Sequence, residues 1–303
     1  MKSTNRISPI LMFIGFLFVF SLTFNALIVI RGSNIKPEDL KYNLKSSANS
    51  DKIYINNNWT EAKAAGICTG EGTASNPYLI EDLVINAGGI GNGIFIENST
   101  DYFKIENCTT FNSGGADTQG GIKLNKVHNG ILVNNTTYDN WQGILIWSSI
   151  NLQIIKNRIF NNTSGIELVY TNDSILYLNT LNNEIIQLYF SWSFNEYNSR
   201  EKYTYTYQGR TYTNFLGNYW SGYDGIDGNN DGIGDTPYHV DSHFHNATLT
   251  DNYPLIQPID HYSNINLAGG LIPGYNILIL IGIISLVIIL SPKKSKKIIN
   301  RNI

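Results

Sequence analysis

The chain has 303 residues, only 15% of them charged, and a formal net charge of −3. That figure hides an asymmetry: residues 33–270 hold 13 Lys and Arg against all 24 Asp and Glu, a net −11, while both ends are basic. An acidic body rich in Asn, Gly, Ser and Thr excludes a phosphate-binding surface, so nucleic acid is not an expected partner, and it suits calcium or a crowded extracellular surface.

Residues 1–32 begin with Lys2 and Arg6 and then run almost wholly apolar from 7 to 30. This reads as a signal peptide or an uncleaved signal anchor, because the stretch is long and no A-x-A site follows it. Residues 33–52 read as a polar linker. From 53 onward short β-rich runs appear, Tyr78-Leu79-Ile80 and Leu83-Val84-Ile85, as the first coils of a longer array. The outer end of such an array must be capped, since an open parallel edge recruits other chains.

The array is a repeat. Three copies begin at Gly121, Gly143 and Gly165, 22 residues apart, and a less regular one begins 28 residues earlier at Gly93. After each glycine the apolar residues alternate with period two, which marks strands. Ile94, Ile122, Ile144 and Ile166 are expected to point inward, and Phe95, Lys123, Leu145 and Glu167 outward. A second strand is expected to point Ile105, Val133, Ile155 and Tyr177 inward. No copy contains its own hairpin partner, so each strand must pair with its equivalent about 4.8 Å away in the next copy. The expected fold is therefore all-β: a right-handed parallel β-helix, a solenoid of ~22-residue coils, spanning 53–213 with a closing hairpin and flanked by transmembrane helices. Asn107, Asn135, Asn157 and Asn179 are expected to stack as an amide ladder, with each repeat glycine supplying the backbone angles of a tight corner.

An insertion at Ser113–Thr118 enlarges one turn. Cys68 and Cys108 lie 40 residues apart, about two coils; outside a cell a disulfide is conceivable, against the alternative of two separate core thiols. Several asparagines match N-x-S/T. Asn98, Asn161, Asn162 and Asn172 fall at expected turns and are the candidates for glycosylation, whereas Asn107 and Asn135 fall in the ladder.

Beyond the coils, Tyr203, Tyr205 and Tyr207 alternate with threonines, then Gln208-Gly209-Arg210 leads into Thr211-Tyr212-Thr213, which is a hairpin signal. Its tyrosines suit cross-strand packing, or stacking on sugar rings. Residues 214–262 form an Asp- and Gly-rich cap. There Asp227, Asn229, Asp231, Gly232, Ile233 and Asp235 match the first part of a calcium loop, with side-chain oxygens at positions 1, 3, 5 and 9, glycine at 6 and a backbone carbonyl at 7. Position 12 is Tyr238, so the usual bidentate glutamate is missing; without metal the segment is an Asx-rich turn. His239, Asp241, His243 and His245 form a weaker transition-metal cluster on the spacing H-x-D-x-H-x-H. For catalysis the only acid pair in register is Asp117 and Asp139, each four residues before a repeat glycine; solvated turn carboxylates are the plainer reading. Residues 271–291 supply a second apolar span, and the Lys-rich tail 292–303 places itself in the cytoplasm and 33–270 outside by the positive-inside rule.

Gly217-Asn218-Tyr219-Trp220-Ser221-Gly222-Tyr223, Asp227 to Asp235, Thr236-Pro237-Tyr238 and Asp251-Asn252-Tyr253-Pro254-Leu255 resemble the terminal signature of NosD-type β-helix proteins, the periplasmic copper-binding family and its archaeal surface relatives. The coils also resemble repeats of carbohydrate-binding proteins and sugar hydrolases. The resemblance covers about 53–256. It implies a parallel β-helix outside the cytoplasm and, more weakly, copper or carbohydrate. The function expected is a membrane-anchored surface protein that binds glycans or envelope proteins. The alternatives are a polysaccharide lyase or glycoside hydrolase using Asp117 and Asp139, and a copper accessory protein using His239, His243 and His245.

Overall fold

The computed structural model describes residues 47–241 and 248–265. The two apolar end segments, the basic tail and most of the 33–52 linker lie outside these residues. Among the described residues no helix is long and apolar enough to cross a membrane.

Strands that alternate apolar and polar side chains bury one face only, and here the buried faces of three parallel sheets enclose a common core. Sheet B runs Ile53–Asn56, Ile94–Ser99, Gly120–Val127, Gln142–Trp147, Ser164–Val169 and Ile186–Ser191. Sheet C stacks Tyr78–Glu81, Phe103–Glu106, Gly130–Val133, Gln153–Ile155 and Ile175–Tyr177, and sheet A stacks seven strands from Ala48–Ser50 to Tyr219–Trp220. The chain visits B, C and A once per coil, so every strand pairs with its counterpart one coil away. The pairings Ile122↔Ile144↔Ile166↔Leu188 fix three turns of 22 residues. The earlier turns are longer, Ile94↔Ile122 and Ile53↔Ile94, because they carry the 113–119 insertion and the segment between the first two sheet-B strands. The inward row Ile94, Ile122, Ile144 and Ile166 is fully buried, as its period-two pattern requires.

In sheet C the register differs from the sequence expectation by one residue. Ile105 pairs with Leu132, and Leu132, Ile154 and Leu176 fill the core. Val133, Ile155 and Tyr177 lie on the opposite face. They are apolar because a second layer covers that face: Ile155, Tyr177 and Leu178 cluster with Tyr205, Tyr207, Leu216, Leu255 and Tyr262. Apolar residues on both faces make periodicity silent about register.

The amide ladder is present with a different first member. Asn135 Nδ2 donates to Asn157 Oδ1 at 3.0 Å, Asn157 Nδ2 to Asn179 Oδ1 at 3.0 Å, and Asn179 Nδ2 to Asn218 Oδ1 at 2.8 Å. Cys108, not Asn107, precedes Asn135 in the column, and its backbone N–H donates to Asn135 Oδ1. Asn107 sits one position earlier with φ +53, in a bend column with Asp82, Asn134, Lys156 and Leu178, all left-handed. A second ladder runs Asn140, Asn162, Asn183 and Gln187.

That second ladder corrects the role of the repeat glycines. None of the four has positive φ; what excludes a side chain is close approach. A Cβ on Gly143 would stand 2.7 Å from Thr137 Oγ1 and 2.8 Å from Asn162 Nδ2. Bends in the backbone are instead taken by residues such as Asn112, Asp139 and Asn161, whose short polar side chains tolerate the left-handed region.

Both ends are closed. Next to the edge strand Ile53–Asn56, a six-residue helix, Trp59–Ala64, drops Trp59 into the core, stacked on Tyr78 at 4.7 Å with Nε1 donating to Ser99 Oγ at 2.8 Å. At the far end Trp220 and Leu249, with Tyr238 packed on them, close the core, while the predicted hairpin forms from Tyr203–Tyr207 and Arg210–Asn214, takes Tyr262–Ser263 as a third strand and lies over the outer face of sheet C. Its tyrosines pack inward: Tyr205 and Tyr207 are buried, and Tyr207 stacks on Tyr262 at 4.9 Å. Cys68 and Cys108 are both free and buried, so the conceivable disulfide does not form. Burial pushes the Cys108 thiol up to about 12, which leaves it an inert core residue.

Candidate functional site

Between the inward residues of sheet B, alternate side chains project outward in rows set by the register. One row is Phe95, Lys123, Leu145, Glu167 and Tyr189; the next is Glu97, Asn125, Trp147, Val169 and Ser191. The 113–119 insertion is held against this face by three side-chain bonds. Lys123 Nζ donates to Thr118 O at 2.9 Å, Trp141 Nε1 to Asp117 Oδ1 at 3.1 Å, and Gln142 Nε2 to Asp117 O at 3.0 Å. Leu145 faces outward and is nonetheless fully buried.

Gln142 links the insertion to Glu167: its Nε2 also donates to Glu167 Oε2 at 3.0 Å. Burial pushes the Glu167 carboxyl up to about 7, against the bonds from Gln142, and the charge of Asp117 pushes it the same way. The Lys123 ammonium lies 4.7 Å from the Phe95 ring centroid and 5.2 Å from that of Trp147, and burial lowers its pKa while Glu97 opposes the change. Glu97 in turn accepts from Tyr54 OH and Asn125 Nδ2. The face thus combines aromatic rings, amides and a carboxyl whose pKa burial raises to about 7, on a stack of strands. Such a surface can stack on a ligand ring and hydrogen-bond its rim.

The sequence pairing of Asp117 with Asp139 does not hold. Asp139 lies in the bend column between Asn112 and Asn161, bonded through backbone to both. Asp117 leaves the coil with the insertion, and the carboxyl it approaches is Glu167. Glu167, Gln142, Trp141 and Trp147 were not singled out from the sequence. The available signal was a glutamate in an outward row otherwise occupied by Leu145 and Tyr189 one coil to either side.

In the cap, the loop oxygens turn onto their own backbone. Asp227 Oδ1 and Oδ2 accept from Asp231 N and Gly232 N, Asn229 Oδ1 from Asp231 N, Asp231 Oδ1 from Ile233 N, and Asp235 Oδ2 from Gly228 N. Position 12, Tyr238, lies in a strand and stacks on Trp220 at 4.8 Å. The exposed His239 meets Thr250 Oγ1 at 3.1 Å through Nδ1, and His243 and His245 lie outside the described residues. Among the described residues no three His, Cys, Asp or Glu side chains are gathered to hold a metal.

The expected glycosylation sites separate by burial. Asn98 and Asn161 are exposed, and Asn172 is half-buried with Oδ1 accepting from Phe194 N at 2.9 Å. Asn162 is fully buried in the second ladder, its amide donating to Thr137 O and Asn183 Oδ1, so no enzyme can reach it in the folded coil.

The terminal signature turns out to be architecture. Tyr219–Trp220 is the last rung of sheet A, and the fully buried Asp251 accepts from Asn218 N at 2.7 Å, Trp220 Nε1 at 2.9 Å and Tyr253 N at 3.0 Å. Burial raises the Asp251 carboxyl to about 6 despite those bonds.

The family model described as "Periplasmic copper-binding protein (NosD)" matches residues 23–225, two thirds of the chain, and takes in the first segment of that signature, Gly217 to Tyr223. No curated protein matches the chain. Among solved structures, a chain of "The complex structure of XylC with xylose" is 15% identical, over 53% of this chain and 28% of that one, with a TM-score of 0.35. This chain therefore spans under a third of that protein, a likeness too slight to carry an argument. The family match and the parallel coils agree, and the chain belongs to the NosD family of β-helix proteins.

Proposed function

We propose that this is a membrane-anchored β-helix protein outside the cytoplasm that binds glycans on the outward face of sheet B. The observation that carries the reading is the join of Asp117, Gln142 and Glu167 under the pinned insertion, flanked by Trp141 and Trp147. The family's periplasmic description and the apolar segments 7–30 and 271–290 support the location and the anchor. Envelope proteins are the other expected partners, and a glycan-array screen of the full-length protein separates the two. Specific glycan spots are expected; a blank array with capture by purified envelope protein would sink the glycan reading.

The rival activity, a lyase or hydrolase, is favoured by one observation: Glu167 keeps its proton where an ordinary carboxyl has lost it, with Asp117 close enough to act on it. Release of new reducing ends from a bound polysaccharide would convert binding into turnover. The described residues gather no copper centre: of the three candidate histidines only His239 lies among them, bonded to a threonine, and both cysteines are in the core.

Calcium at Asp227, Asn229, Asp231, Ile233 and Asp235 belongs to the same proposal, as the organiser of the cap. Backbone N–H groups now satisfy the oxygens a calcium ion would take, so binding would exchange those bonds for metal ligation. Calcium is expected to raise Tm by several degrees in the native chain and by nothing in the doubly substituted Asp227→Ala, Asp231→Ala protein. Equal rises in both would remove calcium from this loop.

A further inference from the structure

The bend column between sheets C and A carries a chain of side-chain amides that stops at Asn134. Asn107 Nδ2 donates to Asp82 Oδ1 and Asn134 Nδ2 to Asn107 Oδ1 at 3.2 Å, but the next coil places Lys156 at the same left-handed position. Lys156 and Arg158, on either side of buried Asn157, line a cavity of about 360 Å³ between the coil and residues 259–265. Its lining is exposed at Asn134, Asp260, Ser263 and Asn264, so it opens to solvent.

The charges in this cavity do not balance. Arg158 Nε donates to Asp260 Oδ2 at 3.2 Å, Nη2 to Asp260 Oδ1, and Nη1 to Asn134 Oδ1 at 3.3 Å, so Asp260 is matched to Arg158. Among the described residues Lys156 has no ion-pair partner. Burial lowers its pKa, and the nearby Arg158 charge lowers it further. No Asp or Glu follows Asp260 in the chain, so the residues beyond Ile265 bring no side chain to neutralise it. Two cations against one carboxylate leave a net +1 in a body whose net charge is −11. A half-buried charge beside a like charge is unfavourable until something of opposite sign meets it.

That imbalance selects the ligand. A cation would add to it, and a dianion would overshoot it and stand against Asp260. One carboxylate closes it. The cavity is far larger than the roughly 30 Å³ of a single water, and it falls in the range of small-molecule sites, about 300–1,000 Å³. Polar groups border the cations: the Ser263 hydroxyl donates and accepts, and Asn264 donates through Nδ2 to Thr206 Oγ1 at 3.0 Å, which leaves its Oδ1 as an acceptor. Hydroxyls on a ring that bears the carboxylate would meet both.

We propose that Lys156, beside Arg158, binds the carboxylate of a uronate-class sugar, with Ser263 and Asn264 meeting the ring hydroxyls. The site stands at the corner of sheets C and A, not on the outward face of sheet B. It goes beyond the glycan reading above by adding a second place and an acidic sugar, and each can fail without the other.

The test is calorimetric titration of the full-length protein with three probes. Methyl glucuronide carries ring and carboxylate, methyl glucoside has CH2OH in place of the carboxylate, and N-acetylglutamate α-amide has a carboxylate and no ring. The glucuronide is expected to bind about tenfold or more tighter than either of the others, and more weakly as salt is added. Lys156→Met keeps the unbranched stem and removes the charge. It is expected to weaken glucuronide binding about tenfold and, without ligand, to raise Tm by about 1–3 °C, since the unpaired cation is gone. Asp260→Asn removes the opposing carboxylate and is expected to tighten glucuronide binding several-fold. Glucuronide affinity unchanged in Lys156→Met would overturn the site, and a lowered ligand-free Tm in that variant would overturn the unpaired charge on which it rests. Equal binding of the glucoside would overturn the acidic class. Equal binding of the glutamate derivative would overturn the sugar and keep the carboxylate. No binding of the glucuronide would overturn the proposal and leave the sheet B face to the glycan array.

Discussion

Single residues carry more of the fold here than their types announce. Gly143 is small because Asn162, Thr137 and Ile159 crowd it, not because its backbone is unusual. Gly143→Ala is therefore expected to cost about 2–3 kcal/mol through overpacking, roughly 4–10 °C in Tm for a domain of this size. Gly115→Ala, with nothing within 4 Å of its Cβ, is expected to be neutral. Thermal melts of the two variants check the contrast. Glu167 supplies a second residue-scale test, with a definite sign. Its folded pKa is raised to about 7 from an ordinary 4.5, so the fold favours the protonated form. The stability it contributes is complete below the ordinary value and is lost as pH rises toward 7. Glu167→Gln cannot ionise, so between pH 4.5 and 7.5 it is expected to gain on the native chain by on the order of 1–2 kcal/mol after screening. Parallel pH profiles for the two proteins would contradict the burial of that carboxyl. From the sequence, the inward isoleucines and the core of the ladder were legible because they repeat at a fixed interval. Asn107 was misplaced because neighbouring asparagines, Asn134 and Asn135, serve two columns and spacing alone does not separate them.

Among elements, sheet B was legible and sheet C was not, for one physical reason. Sheet B has a core face and a mixed outer face, so its period-two pattern is unambiguous. Sheet C is covered on both sides in its last coils, by the core and by the tyrosine hairpin, and a strand buried twice loses its alternation. The hairpin itself announced its turn at Gln208-Gly209, both left-handed in the structure. It holds the cap in place: the Tyr205 ring is fully buried and its OH donates to Asp231 O at 2.8 Å, inside the candidate calcium loop. Tyr205→Ala is expected to lower stability by about 3–5 kcal/mol. Tyr205→Phe is expected to lower it by about 1–2 kcal/mol, since it bares one buried carbonyl. Paired denaturant titrations with and without calcium would read both effects. A Tyr205→Phe protein with unchanged stability would show that the loop is held without this bond.

For the whole molecule, the repeat gave away the architecture, and the chemistry was hidden by the same regularity. Asp117 and Asp139 share an offset from the repeat glycines, which suggested a stacked pair, yet the insertion carries Asp117 out of register and over the strand of Gln142. What brings Asp117, Gln142 and Glu167 together is an irregularity laid across a regular sheet, and no periodic reading reaches across an insertion. The ends follow the opposite logic: the signature around Gly217–Tyr223 and Asp251–Leu255, read from the sequence only as a family resemblance, serves to seal the solenoid through buried Asp251. The result is a stack of strands closed at both ends, and the sheet B face is the one proposed to bind. The most direct measurement is a hydrogen-exchange footprint of the full-length protein with and without a saccharide that binds it. The account predicts slowed exchange in 114–119, 141–147 and 164–169, with the hairpin and the 214–241 cap unchanged. Protection confined to the hairpin or the cap would contradict it.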